Sequence, residues 1–589
     1  MGKFYLTNNP LWADKISSIL SNVGFKLSGS DFEDGTFLSV YKKLSLDNYN
    51  LYKKNNNYVA TTGTLIYKGK IGKDALEDIL NDYIEFEHDI NRVRFNCMGS
   101  FCLLIKVGKK IDVCVDELQS YYVHYYIKDD YYFITPQAYH IARITPIELD
   151  KISVAQKIAC RTIPDDRTPF MGIHRLLSNE KLHIHCNVRG EVKVVNIGVN
   201  NYCTRQLSSR DKMLQALNHY AQNKASAFKT TGIFCTGGLD SRSVLAVNMW
   251  LKNNLNHQIE LINWKSNDES IPAAIDDTLI CQDMSKHFGI PLRVIDCTDS
   301  RIYENIESTN FSELDKYGEM IGFHAGNKKY HQMLEDDFLP DFIEYGCGGE
   351  VANQTLRKEA YSESYEDILE FYLKYTSSIV YKHVGEEKFR KSWTASWNKR
   401  LNILGISPDH LSNDDCTDIF NFYVLNENLD HINVTNLYRY STSMFAQKEV
   451  FDSLSCLPYK EKDSGHMSLY IVDKFYPEFL KIPFYSHRKK QIVDFTTLRF
   501  VAESTHKSFK DNIKDNKLIG SIAGNIAEHV HEVYPHDKNV EDRNHRRKLY
   551  KLCKELGEDK IKMNSFSEIT YLAEYVTWLK LRNYIKWRA

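Results

Sequence analysis

Between Thr231 and Lys252 the chain passes from a short apolar run through two adjacent glycines into a helix-like run, and few folds accept that order. The segment opens Thr231-Gly232-Ile233-Phe234-Cys235-Thr236-Gly237-Gly238-Leu239-Asp240-Ser241. Its spacing predicts a strand over 232–235, a loop over 236–241 and a helix over 242–252. A helix that starts from such a loop turns unbonded N–H groups and the positive end of its dipole toward whatever the loop holds. Gly237 and Gly238 let the backbone approach an anion without a Cβ in the way. Thr236 and Ser241 offer hydroxyls, and Asp240 offers a hard oxygen ligand for Mg²⁺. With Leu239 at the centre of the turn, these residues are expected to hold pyrophosphate plus metal. A Gly-Gly turn alone is common; the complete order, flanked by strand and helix, carries the reading. No lysine follows the glycines, so this is not a Walker loop.

A chain of 589 residues is long enough for two or more domains, each with its own core. A formal net charge of −2 provides no broad surface for a polyanion, so no nucleic-acid partner is expected. The 13 cysteines are spread singly, without a Cys-x-x-Cys pair, which argues against zinc ribbons and dithiol redox sites and fits a reducing cytoplasm. The opening residues Met1 to Leu6 lack a signal-peptide core, and no apolar run reaches the roughly 18 residues of a membrane span, so no membrane partner is expected either.

The texture changes near residues 195–210. Before it, alternating strands are joined by short polar turns. Tyr58 to Tyr67 is one; Ser100 to Ile105 turns through Gly108-Lys109-Lys110 into Ile111 to Val115; Tyr121 to Ile127 turns at Asp129-Asp130 into Tyr131 to Ile134. A helical stretch, Asp74 to Tyr83, lies among them, and the combination predicts an α+β layered domain with antiparallel sheet. After the change, helix 213–228, strand 232–235, helix 242–252, strand 259–264, helix 277–288 and strand 292–295 alternate, as in a doubly wound parallel sheet whose ligands sit at the carboxyl ends of its strands. Residues from about 355 onward read as mostly helical.

The order Thr236 to Ser241 resembles the pyrophosphate loop Ser-Gly-Gly-Leu-Asp-Ser of the asparagine synthetase family, with Thr236 keeping the hydroxyl of the usual serine. The resemblance extends along the chain through Gly99-Ser100-Phe101, Asp116 and Gly172-Ile173-His174-Arg175-Leu176. It implies an α+β N-terminal-nucleophile hydrolase-like glutaminase domain over 1–200. An α/β pyrophosphate-loop (adenine nucleotide α-hydrolase-like) synthetase domain follows over 205–589, with a largely helical C-terminal part. The family's nucleophilic cysteine directly follows the initiator Met; here Gly2 stands there and has no side chain to activate. The first domain is therefore expected to be inactive, as in the β-lactam synthetases and lasso-peptide cyclases that resemble this family.

Tyr345-Gly346-Cys347-Gly348-Gly349-Glu350-Val351 resembles the family's Gly-Glu-Gly-Ser-Asp-Glu loop. The resemblance places Gly348 beside the nucleotide and Glu350 opposite Asp240 as a second Mg²⁺ carboxylate. Cys347 replaces the residue beside the attacking nitrogen, either as a small hydrophobe or as a reactive thiol. Tyr440-x-Thr442-x-Met444-Phe445 replaces the family's Glu-x-Arg-x-Pro-Phe, which implies a moved substrate pocket. Ile482 to Lys490 resembles the family's Arg-Pro-Lys-Lys loop, with Lys489 stabilising charge in acyl transfer (or Lys490, if the register differs). Adenine is expected against strand 259–264, near Leu261 and Asn263. Asp277 reads as a nucleotide-site residue or as an ordinary first-turn carboxylate. Residues 571–588 read as a packed amphipathic helix or as a partner-binding one.

The implied activity is an ATP- and Mg²⁺-dependent amide-forming ligase. It would adenylate a small-molecule or peptide carboxylate and pass it to an amine whose nitrogen does not come from glutamine. Peptide macrocyclisation is the alternative within the class. A tRNA-modifying pyrophosphate-loop enzyme and a non-catalytic nucleotide-binding protein are alternatives outside it. The sequence leaves the oligomeric state open, with a homodimer among the options.

Overall fold

The computed structural model describes residues 2–160, 162–186, 191–197, 209–265, 272–296, 328–352, 384–404, 406–407, 429–462, 465–482, 484–486, 491–493 and 551. Its first half holds two six-stranded antiparallel sheets. One runs in the order His174–Arg175, His124–Lys128, Tyr131–Thr135, Phe4–Thr7, Thr36–Tyr41, Leu27–Glu33; the other runs Glu191–Asn196, Glu180–His185, Lys110–Val115, Phe101–Val107, Asn57–Gly63, Leu51–Lys54. Strand Phe101–Val107 explains the layering. Successive side chains point to opposite faces. Cys102 and Leu104 join Phe4, Leu6 and Val113 in the core between the sheets, while Phe101, Leu103 and Ile105 join Leu76, Ile79 and Tyr83 beneath helix Gly72–Glu85. Helices Pro10–Asn22 and Ala138–Ile144 cover the outer face of the other sheet, so the half is layered helix, sheet, sheet, helix.

The expected hairpins form: Cys102 pairs Val115 through Val107 with Lys110, and His124 pairs Thr135 through Lys128 with Tyr131. The run Tyr58 to Tyr67 is not one strand. It breaks after Gly63, whose φ of +86° turns the chain where a Cβ would stand 2.1 Å from the Ser100 carbonyl oxygen. Ile66–Tyr67 then pairs separately with Cys97–Met98.

The second half carries a five-stranded, all-parallel sheet in the order Leu292–Asp296, Gln258–Lys265, Thr230–Phe234, Phe342–Tyr345, Tyr440–Ser443. Helices Arg210–Ala227, Leu239–Leu255 and Pro272–Phe288 occur in the predicted alternation. The expected boundary at 200–205 lies outside the described residues. Tyr440–Ser443 corrects a sequence expectation: in a region read as helical, these residues form the sheet's fifth strand. Tyr-Ser-Thr-Ser shows no apolar period, and its burial comes from the first half. Thr64 Oγ1 accepts the Ser441 N–H at 2.7 Å, and Thr442 Oγ1 lies 3.1 Å from Ser100 Oγ. A sheet edge that would otherwise be open is thereby covered by the other half of the chain. Among the described residues no helix is long and apolar enough to cross a membrane.

Candidate functional site

The strand order of the parallel sheet reverses between Thr230–Phe234 and Phe342–Tyr345, and a sheet of this kind opens a crevice beyond the carboxyl ends of such a pair. Both glycine-rich segments singled out in the sequence leave these two strands. The rings of Phe234 and Tyr345 stack at 4.7 Å and 10°, fixing the strand ends against each other.

Helix Leu239–Leu255 starts three residues before the run its composition suggested. Leu239, Asp240 and Ser241 are its first turn, Gly238 is its N-cap, and no side chain caps it. Gly237 needs its glycine: φ is +74°, and a Cβ would stand 2.6 Å from Ile280 Cγ2. The Thr236 hydroxyl lies 3.3 Å from Ser241 Oγ, and Ser241 donates to the Gly238 carbonyl at 3.1 Å. Ser241 thus shapes the loop, whereas Thr236 is exposed at its surface. Leu239 and Asp240 are half-buried.

From the other strand, Gly346-Cys347-Gly348-Gly349 comes down onto this turn. A Cβ at Gly349 would stand 2.2 Å from Asp240 Cγ and 2.5 Å from its Oδ1, and one at Gly346 would stand 3.0 Å from the Ser241 nitrogen. Gly348 turns the chain with φ +85°. The two segments therefore meet at the Asp240 carboxylate, with glycine where any side chain would intrude. Glu350 follows in the turn Gly349–Val351, whose backbone is described while the Glu350 side chain is not. Among the described residues no cluster of three or more His, Cys, Asp or Glu is arranged to hold a metal by itself. Mg²⁺ needs only one or two carboxylates when phosphate oxygens complete its shell, and Asp240 against a side-chain-free wall fits that mode.

The remaining expected residues separate. Leu261 is fully buried in the core and pairs with Ile233, so its side chain packs and does not face the crevice. Asn263, further along the strand, donates to the Cys235 carbonyl at 2.8 Å and accepts from Thr278 Oγ1 at 2.8 Å, tying helix Pro272–Phe288 to the root of the loop. Asp277, on that helix, lies close enough to act on the charge of Arg242. The segment read as a moved substrate motif, 440–445, is the fifth strand and the turn after it, and Ser443 Oγ donates to the Cys347 carbonyl at 2.6 Å. Lys489, Lys490 and residues 571–588 lie outside the described residues; Phe484–Ser486 and Gln491–Val493, on either side of the lysines in sequence, pair antiparallel.

Sequence reasoning missed Arg242. It is 1% exposed; Nε donates to the Gly237 carbonyl at 2.8 Å, and Nη1 donates to the carbonyls of Phe479 and Ile482 at 3.3 and 3.1 Å. Burial pulls its guanidinium down to about 10. One side chain thus joins the glycine loop to the segment leading into the 482–490 stretch. The run Ser243-Val244-Leu245-Ala246-Val247 signals a buried helix in which a cation needs internal acceptors. Behind the loop, Glu344 accepts from Tyr220 Oη at 2.7 Å, Lys224 Nζ at 2.5 Å and Asn248 Nδ2 at 2.9 Å, all buried. This cluster locks strand Phe342–Tyr345 to the two helices beside it.

In the first half, Gly2 is buried, and a Cβ there would stand 2.0 Å from the Lys42 carbonyl oxygen and 2.6 Å from that of Tyr41. Nearby Lys43 Nζ donates to the carbonyls of Asn436 and Arg439, each at 2.7 Å, so its charge is spent on the contact between the two halves. Burial pushes its pKa down. Asp116 accepts the N–H groups of Ser120 and Tyr121 at 2.8 and 2.9 Å, yet burial outweighs these bonds and raises its carboxyl to about 6.

No protein-family model matches the chain, and no curated protein matches it. Among solved structures, a glutamine phosphoribosylpyrophosphate amidotransferase from B. subtilis complexed with ADP and GMP is 11% identical at a TM-score of 0.23, over 50% of this chain and 65% of that one. The allosteric regulatory enzyme of purine biosynthesis is 11% identical at 0.24, over 50% and 64%. The matched part spans less than two thirds of either neighbour, and the site rests on its own geometry.

Proposed function

We propose that this chain is an ATP-dependent ligase that adenylates a carboxylate, releases pyrophosphate and transfers the acyl group to an amine with release of AMP. The observation that carries the reading is the meeting of the Thr236–Ser241 turn with Gly346–Gly349 at Asp240, at the point where strand order reverses. The Thr236 hydroxyl and the backbone N–H groups of the helix's first turn would hold the β- and γ-phosphates. Asp240, with Glu350, would hold Mg²⁺, which supplies charge neutralisation on the departing pyrophosphate. Arg242 keeps the Gly237 carbonyl turned away from the phosphates, so that the loop presents N–H groups to them. The carboxylate oxygen attacks the α-phosphorus as its bond to the bridging oxygen breaks; the amine then attacks the acyl carbon as the bond to AMP breaks and loses its proton to solvent or base. Lys489 would offset the oxyanion of that second step.

The nitrogen comes from a source other than glutamine hydrolysis in the first half. Gly2 carries no nucleophile, and the backbone of Tyr41 and Lys42 occupies the space where one would project. The test is product analysis. Full-length protein, Mg²⁺ and ATP are incubated with pools of small carboxylates, peptides and amines, and phosphorus species are followed by NMR. AMP and pyrophosphate in equal amounts, lost in Asp240→Ala, support the reading; ADP, or no turnover in any pool, overturns it.

A further inference from the structure

A second cavity lies at the junction of the two halves, away from the glycine loops. It is walled by the first half together with Asn433 and Leu437 of helix Asp430–Tyr438. Arg175, Arg167 and Lys157 line it, and among the described residues no carboxylate does. Arg167 is committed elsewhere: Nε pairs with Asp165 at 2.9 Å, and its other nitrogens reach Gln156, Ser392 and Ser396. Arg175 is different. It is 8% exposed, its Nη2 donates to the carbonyls of Ile163 and Asp165 at 2.7 and 2.8 Å, and its guanidinium lies over the Tyr122 ring at 5.4 Å. Its Nε is buried with no hydrogen-bond partner. Among the described residues no carboxylate pairs with it. His124, which also lines the cavity, is held neutral by burial and by the Arg175 charge, and adds no second cation.

A guanidinium held out of water without an anion is costly, and Arg175, which lines the cavity and has one nitrogen unmet, offers a planar donor group to a planar anion. The cavity offers about 100 Å³, against the ~10–15 Å³ that one water needs. Ile163, Pro136, Pro169 and Leu437 make its walls apolar. We propose that this cavity binds a small monocarboxylate with an apolar body, its carboxylate on Arg175 and its body between the two halves of the chain. A phosphate dianion would need more donors than the Arg175 guanidinium has left to offer.

Calorimetric titration of the full chain, without nucleotide, tests this with acetate, butyrate, isovalerate and benzoate, with their neutral amides and inorganic phosphate as comparison arms. Saturable binding of at least one acid, absent for its amide, is expected. Arg175→Gln should weaken it about tenfold or more, as loss of a charged hydrogen-bond donor does. Should Arg175→Gln fail to fold, Lys157→Gln, half-buried in the lining, should weaken the acid in a variant whose circular dichroism and cooperative melt show the fold retained. The proposal is overturned if no acid binds, if amides or phosphate bind as well, or if neither variant changes the affinity. None of these results depends on the ligase reading, because none involves turnover.

Discussion

Gly349→Ala adds one methyl group, and its consequence can be worked from the geometry. The backbone φ of Gly349 lies outside the left-handed region, so alanine adopts the conformation without strain. The new Cβ, however, stands 2.2 Å from Asp240 Cγ, roughly 1.3 Å short of an ordinary ~3.5 Å carbon–carbon approach. Rotation of the half-buried Asp240 side chain relieves the Cγ and Oδ1 contacts, while its Cβ, 2.6 Å from the new atom, requires the first turn of the helix to shift as well. The fold should lose about 1–3 kcal/mol, the usual overpacking cost. A displacement of about 1 Å in a group that positions metal and phosphate costs on the order of 10²-fold, or about 2.7 kcal/mol of transition-state stabilisation. Mg-ATP affinity by calorimetry and ATP–pyrophosphate exchange measure the loss, with a urea melt alongside. In an Asp240→Ala background the same substitution should cost less than in wild type, because the displaced carboxylate is already gone and only the Cβ contact remains. Wild-type affinity and exchange in Gly349→Ala, or full additivity with Asp240→Ala, would refute the reasoning.

Gly2→Cys should not create a glutaminase: its Cβ overlaps the Lys42 carbonyl, so the variant should lose at least about 1–3 kcal/mol in a denaturant melt and release no glutamate from glutamine. Lys224→Met leaves Glu344 buried without its cation and should cost about 3–5 kcal/mol, most of it regained in Lys224→Met/Glu344→Leu; an undiminished Tm in the single variant would contradict the lock assigned to this cluster. Asp116 titrates at about 6 in the folded chain and at ~3.9 when unfolded, so the folded state holds an extra proton between those values, and this contribution to stability is present below ~4 and lost as pH rises through 6. Urea melts of wild type and Asp116→Asn at pH 4 and 7 should therefore show a stability difference that shifts by roughly 2–3 kcal/mol between the two pH values; parallel behaviour would place the proton elsewhere.

The glycine loop was legible because all its determinants are local: an apolar run, two glycines and a helix within one stretch. Its helix start was misplaced because Leu239-Asp240-Ser241 reads as loop when a glycine N-cap leaves no capping side chain as a signal. The second loop was legible as a motif, while its contact with Asp240 needed the sheet order. The fifth strand was illegible because Tyr440-Ser441-Thr442-Ser443 is buried by Thr64 and Ser100, more than 300 residues away in sequence. Leu261 was assigned to adenine by resemblance alone, and the pleat of its strand turns it into the core. Arg175 reads in the sequence only as part of a family landmark; its unpartnered Nε is visible only once the fold closes over it.

The claim on which the account depends is where nucleotide sits. A crystal of the full chain with Mg²⁺ and an ATP analogue resistant to cleavage between its α- and β-phosphorus would place it directly. The account predicts phosphate oxygens on the Thr236 hydroxyl and the N–H groups of Gly238 to Ser241, with the metal on Asp240. Phosphates bound elsewhere, or a metal with no bond to Asp240, would contradict it.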